Sequence, residues 1–266
     1  MATGRKTDDI LKALSTSRPE QSELVIVLRM ETATICAFQN ASSSADHILN
    51  FPTAELNTTL EAFQVSGKDF DDVTVFFTDI ESTLMPIALS SEECSKDYLN
   101  CLYQRELGSV LSNQSSLMGM EVIYTYSKEW HEKMLSMFPQ AHFHHISELV
   151  ILATASTLQH HGDYVLHAHL EEEHLFVMTF KGKDLVFFNT FPVKGETDVL
   201  YFILHSMDSL GIDYQVAAVQ LSGYHKNMKS VTHLLKSYCP QAQMPRPSDW
   251  EDDLEHVLSK HRLCAS

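Results

Sequence analysis

Between residues 164 and 223 the hydrophobic period changes from that of strands to that of a helix, and the order of this change constrains the fold most. Apolar, β-branched or aromatic runs at 165–170, 174–180 and 185–191 are separated by Glu171-Glu172-Glu173 and by Lys181-Gly182-Lys183-Asp184. Such short polar gaps read as hairpin turns, so the three runs form an antiparallel meander. Residues 196–210 then lack Gly and Pro and are apolar at Val199, Leu200, Ile203, Met207 and Leu210, the pattern of a helix with a broad buried face. Gly211 supplies its stop. A short strand at 217–221 and helices at 227–238 and 248–262 follow, giving β-β-β-α-β-α-(β)-α.

The first half repeats that order without repeating its residues. Strands are expected at 23–30, 33–40, 46–51 and 73–78, with a helix at 56–65 before the last of them. An additional strand at 83–89, interrupted by Pro86, and a helix at 92–107 form an insertion. In that helix Cys94, Tyr98, Cys101 and Leu102 share one side, which is expected to be its core face. A strand at 120–126 and a helix at 127–138 capped by Ser127 precede a helix at 145–160 that is apolar at Ile146, Leu149, Val150, Ile151, Leu152, Ala153, Ala155 and Leu158. The small residues 153–156 suit that helix to a close crossing between lobes. The fold class expected is therefore α/β, with two ribonuclease-H-like lobes in an actin-like ATPase arrangement. Residues 1–20 form a tail and 21–145 the first lobe, with its insertion around 80–118. The second lobe is 146–266, and 146–160 and 248–262 are the inter-lobe helices.

With this order in hand, the chain resembles a bacterial family known only as domain of unknown function 3822, whose structurally known members look like actin-like ATPases. Phe188-Asn189-Thr190-Phe191 carries the resemblance most specifically. Asp198, Tyr201, Leu204 and Leu210, the segment from Val219 to Gly223, and Thr83-Leu84-Met85-Pro86 before a helix with Tyr98-Leu99 extend it over roughly residues 20–247. The resemblance implies a fold and carries over no catalytic residues.

Active members of that superfamily place an aspartate and a glycine in the first hairpin of each lobe, because a Cβ would block the approach of phosphate to backbone. Here the first hairpin reads Arg29-Met30-Glu31-Thr32 without glycine, and the second carries three glutamates. Three carboxylates facing a triphosphate would each cost on the order of 1 kcal/mol even at water-like screening. The alternative for Glu171–Glu173 is a solvated turn, and it is the reading preferred here. The cleft positions expected from the fold are Glu31, Thr32, Glu171, Glu173, Ser222 and Gly223, the last two being what remains of an adenosine loop. No cofactor is expected, with Mg-ATP as the alternative.

Other chemistries are weaker. A net charge of −16 disfavours binding to nucleic acid and to anionic membrane surfaces. A two-metal nuclease would need acids such as Glu31, Glu61 and Asp79 in the first lobe, and Glu171 and Asp198 in the second, where the strand 217–221 has none. Fifteen histidines, with His167 and His169 on one strand face, show no characteristic ligand spacing, so no metal site is expected. Five cysteines without a C-x-x-C pair read as reduced thiols, and no apolar stretch approaches a bilayer span, so a cytoplasmic protein without membrane insertion is expected. The leading expectation is a non-catalytic interaction or assembly scaffold with an unidentified protein partner and a possible homo-oligomeric state. An ATP-binding enzyme or switch with altered phosphate loops is the alternative, and a metal-dependent nuclease or hydrolase ranks third.

Overall fold

The computed structural model describes residues 22–39, 47–62, 70–91, 94–115, 118–158, 164–224, 227–243 and 257–264. In chain order the first half comprises β1 (Ser22–Leu28), β2 (Thr32–Gln39), β3 (His47–Pro52), α1 (Leu56–Ala62), β4 (Asp72–Phe77), β5 (Ser82–Pro86), α2 (Ser95–Tyr103), β6 (Val110–Ser115), β7 (Met120–Thr125), α3 (Lys128–Met137), β8 (His142–His145) and α4 (Ile146–Thr157). The second comprises β9 (Tyr164–Glu171), β10 (His174–Lys181), β11 (Asp184–Pro192), α5 (Glu196–Ser209), β12 (Ala218–Tyr224), α6 (Met228–Lys236) and β13 (Ala242–Gln243).

Two five-stranded sheets share one wiring, β3-β2-β1-β4-β8 and β11-β10-β9-β12-β13. In each, the first three strands are antiparallel neighbours and the next two add in parallel, as the ribonuclease-H-like expectation requires. The fifth strands, β8 and β13, have four and two residues, too short for a periodic signal. The insertion is a third sheet, β5-β7-β6, whose strand β6 the hydrophobic pattern had not marked.

The period of two sorts each sheet's side chains onto two buried faces. Leu24, Ile26 and Leu28 of β1 join α1 and α3 in an outer core, while Val25 and Val27 turn inward. Leu175 and Val177 of β10 face α5 and α6, while Phe176, Met178 and Phe180 turn inward. Between the inward faces lies α4, buried from Ile146 through Thr154. A helix buried on every side needs cover all round, and the two sheets supply it.

One expectation needs correction. Helix α2 buries Ser95 and Leu99, whereas Cys94, Tyr98, Cys101 and Leu102 are exposed. The helix packs on the insertion's own small sheet through Leu99 and Ile123, and one leucine suffices for so narrow a contact. The helix expected at 248–262 falls mostly outside the described residues. Within residues 257–264, Val257, Leu258 and Cys264 pack into the inter-lobe core, and Arg262 and His261 bond Glu23 of β1 (2.7 Å each to Oε2).

Candidate functional site

The two hairpin turns at the mouth of the cleft grip each other. Glu172, in left-handed backbone (φ 53°) at the β9–β10 turn, extends its carboxylate across the cleft to the β1–β2 turn. There it accepts hydrogen bonds from the Glu31 and Thr32 backbone N–H groups (3.1 and 3.0 Å) and from the Thr32 hydroxyl (2.8 Å). Beneath it Arg29 forms a buried ion pair with Glu171 through Nε, and its Nη1 donates to Thr34 Oγ1 at 2.7 Å. Burial alone would raise the Glu171 carboxyl, but the Arg29 charge and the His169 hydrogen bond outweigh it and bring it down to about 2. The expected solvated turn is thus found only at Glu173, which is exposed. Glu171 leaves water because the opposite lobe presents a guanidinium to it, and the half-buried Glu172 is held by two amides of that lobe.

Ser222 lies in strand β12 and not in a loop, within a buried file of polar groups. From Glu171 the file runs to His169 Nε2 (2.8 Å), from His169 Nδ1 to Ser222 Oγ (2.7 Å), and on to His167 Nε2 (2.6 Å). His167 Nδ1 then meets the Thr154 hydroxyl of α4 at 2.7 Å. The ionised Glu171 can only accept, so His169 donates to it through Nε2. The Thr154 hydroxyl donates to the Val150 carbonyl oxygen (2.7 Å) and so accepts from His167 Nδ1. That leaves neutral His167 to accept at Nε2 from the Ser222 hydroxyl, which closes the file. Burial, reinforced by the neighbouring His169, brings the His167 imidazole down to about 3. Serine, histidine and carboxylate in this succession match the bonding order of an acyl-transfer triad. Ser222 and His169 are buried on all sides, so no substrate carbonyl can reach them, and the file is structural.

Gly223 pairs with Leu170 in the parallel β9–β12 ladder at φ 100°. A Cβ there would stand 2.0 Å from the Leu170 carbonyl oxygen, so glycine is required for the two strands to approach. Of the remaining acids, Asp198 accepts from the Lys194 N–H at the start of α5 (2.9 Å), and Glu61 is exposed on α1.

A second tie joins the lobes at the segment that carried the family resemblance. Thr190 of β11 and Tyr103 at the end of α2 both donate to the Ile80 carbonyl oxygen (2.8 and 3.0 Å) and lie 2.9 Å apart. His174 Nδ1 donates to the Thr78 carbonyl oxygen at 2.9 Å.

Next to these ties, at the C-terminal ends of β1 and β4, is a cavity of about 400 Å³. Arg29, Met30, Asp79, Glu81, Trp130 and His174 contribute to its wall; none of the six expected cleft positions does. Burial, with Glu81 adding to it and His174 opposing it, raises the Asp79 carboxyl to about 6. A carboxyl so placed can exchange a proton with a ligand hydroxyl or amine near neutral pH. Asp79 had been singled out only as a possible metal ligand; its role as a cavity wall is invisible until β4 is seen to end there.

Comparison with solved structures agrees with the two-lobed wiring. A protein of unknown function with actin-like ATPase fold from Bacteroides thetaiotaomicron superposes with a TM-score of 0.75 at 17% identity, covering 88% of this chain and 95% of that one. The PilM–PilN type IV pilus biogenesis complex superposes with a TM-score of 0.56 at 10% identity, covering 93% and 99%. At such identities the likeness is one of fold, and the fold is actin-like. Among curated proteins none matches the chain. Residues 11–242 match the family described as protein of unknown function (DUF3822), and the chain belongs to that family.

Proposed function

We propose that this protein is a non-catalytic assembly scaffold, cytoplasmic, whose lobes are held at a set separation by its own carboxylates. The observation that carries this reading is the seat of Glu172 on the Glu31 and Thr32 amides. In an actin-like fold those amides would receive phosphate oxygens, and a carboxylate satisfies the same donors without a nucleotide. The buried Arg29–Glu171 pair reinforces the closure, because parting the lobes would strand two charges. A fixed pair of lobes presents a constant outer surface to a protein partner. The pilus complex of similar fold is an architectural parallel for that kind of work.

The test is thermal unfolding with and without Mg-ATP. A ligand at a hundredfold its dissociation constant would add about 2.7 kcal/mol. The scaffold reading expects an unchanged midpoint and recovery of a specific protein in pull-downs. A raised midpoint accompanied by phosphate release overturns it.

A second reading, an ATP-binding enzyme or switch with altered loops, is favoured by Asp79 in its cavity. It expects the nucleotide response to be present in the wild type and abolished by Asp79→Asn.

A further inference from the structure

At the junction of β8 and α4, away from the hairpin clasp, three metal-binding side chains of different chemistry come together below the surface. His144 ends up one helical turn from Glu148 because α4 starts immediately after β8, and its Nδ1 lies 2.9 Å from Glu148 Oε2. Cys264 arrives from the far end of the chain. One donor atom from each of the three lies within 4.8 Å of the others. All three are buried, Glu148 completely. The other carboxylate oxygen, Glu148 Oε1, is buried without a hydrogen-bond partner. A fully buried, half-satisfied carboxylate is expensive, and a cation is what such an oxygen ordinarily faces.

We propose that His144, Glu148 and Cys264 form a zinc site that clamps the C-terminal segment to the helix between the lobes. One nitrogen, one carboxylate oxygen and one thiolate make a mixed donor set that suits Zn²⁺ and is too soft for Mg²⁺ or Ca²⁺. Charge supports the same ion. A thiolate and a carboxylate together neutralise a divalent cation, leaving a buried site with no net charge. Zinc–ligand bonds of about 2.0–2.3 Å place neighbouring donors roughly 3–4 Å apart, so the three need draw in only slightly. Four-coordinate zinc leaves one position for a water.

The inference is independent of the scaffold reading, since it concerns how residues 257–264 are held and not what the cleft binds. The experiment uses the full chain, purified with a histidine-free tag, stripped with a chelator and titrated with Zn²⁺ and Co²⁺. The expected results are one tightly bound zinc per chain, a higher unfolding midpoint with zinc than with chelator, and a thiolate-to-cobalt charge-transfer band with tetrahedral cobalt absorption. Cys264→Ser and Glu148→Gln should each weaken zinc binding by more than about 100-fold, because even outer-shell partners contribute about 10–100-fold. The cobalt spectrum needs no variant, so a folding defect in either substitution cannot mask the answer. Absence of the thiolate band, or zinc affinity retained in both variants, overturns the proposal.

Discussion

At Arg29 and Glu171 two charges sit out of water, each answered by the other across the cleft. Removing one leaves the other buried, so Arg29→Met should lower stability by about 3–5 kcal/mol in urea unfolding. Adding Glu171→Gln should recover part of that loss, because the orphaned charge is gone while an acceptor for His169 remains. His167 gives a second residue-level outcome. Its folded pKa is about 3 against a model-peptide value near 6.5, so below pH 6.5 the unfolded chain takes up a proton that the folded chain refuses. Acid therefore destabilises the protein through this group as pH falls from about 6.5 to 3. The wild type should lose stability relative to His167→Gln by about 1.4 kcal/mol per pH unit across that window. Parallel curves for the two proteins would show that the imidazole is not held neutral.

At the scale of the element, burial decides between faces that the sequence presents as equals. On α2, Leu99 is fully buried, and Leu99→Ala should cost about 2–5 kcal/mol. Cys101→Ser, on the exposed side, should change stability by no more than about 0.5 kcal/mol. Reversal of that ranking in a denaturant titration would mean that α2 is turned the other way. Two glycines, one in strand β12 and one in a turn, offer a contrast. Gly223→Ala drives a Cβ into the Leu170 carbonyl oxygen and should cost more than about 4 kcal/mol, or prevent folding. Gly182→Ala, in the open β10–β11 turn at φ 63°, meets nothing within 4 Å and should cost only about 1–2 kcal/mol of backbone strain. Strands of five or more apolar residues were legible from their period. β8 was not, since His142-Phe143-His144-His145 offers no run of β-branched residues and its strand exists only by pairing with β4.

Across the whole molecule the lobes meet through α4, the Thr190–Tyr103–Ile80 tie and the two hairpins. Because the inner faces of both sheets belong to one apolar core, the lobes should unfold in a single transition. Loosening the clasp should be visible without unfolding. Glu172→Ala deprives the Glu31 and Thr32 amides of their acceptor, and their hydrogen exchange should accelerate while amides in the β1–β4 ladder stay protected. Unchanged exchange at those two amides would remove the clasp from the account. Among the described residues no helix is long and apolar enough to cross a membrane.

The meanders, the long helices and their duplicated order followed from the sequence alone, because hydrophobic period and turn chemistry act over a few neighbouring residues. The loss of glycine from the first hairpin was equally plain, and it correctly directed attention to the cleft. What fills the cleft was decided only by tertiary structure. Glu172 finds Thr32 across 140 residues, and Arg29 finds Glu171 across 142. A carboxylate's surroundings depend on which distant donors the fold delivers to it, and no local pattern records that. The same holds for Cys264, whose neighbours His144 and Glu148 lie more than a hundred positions away in the chain.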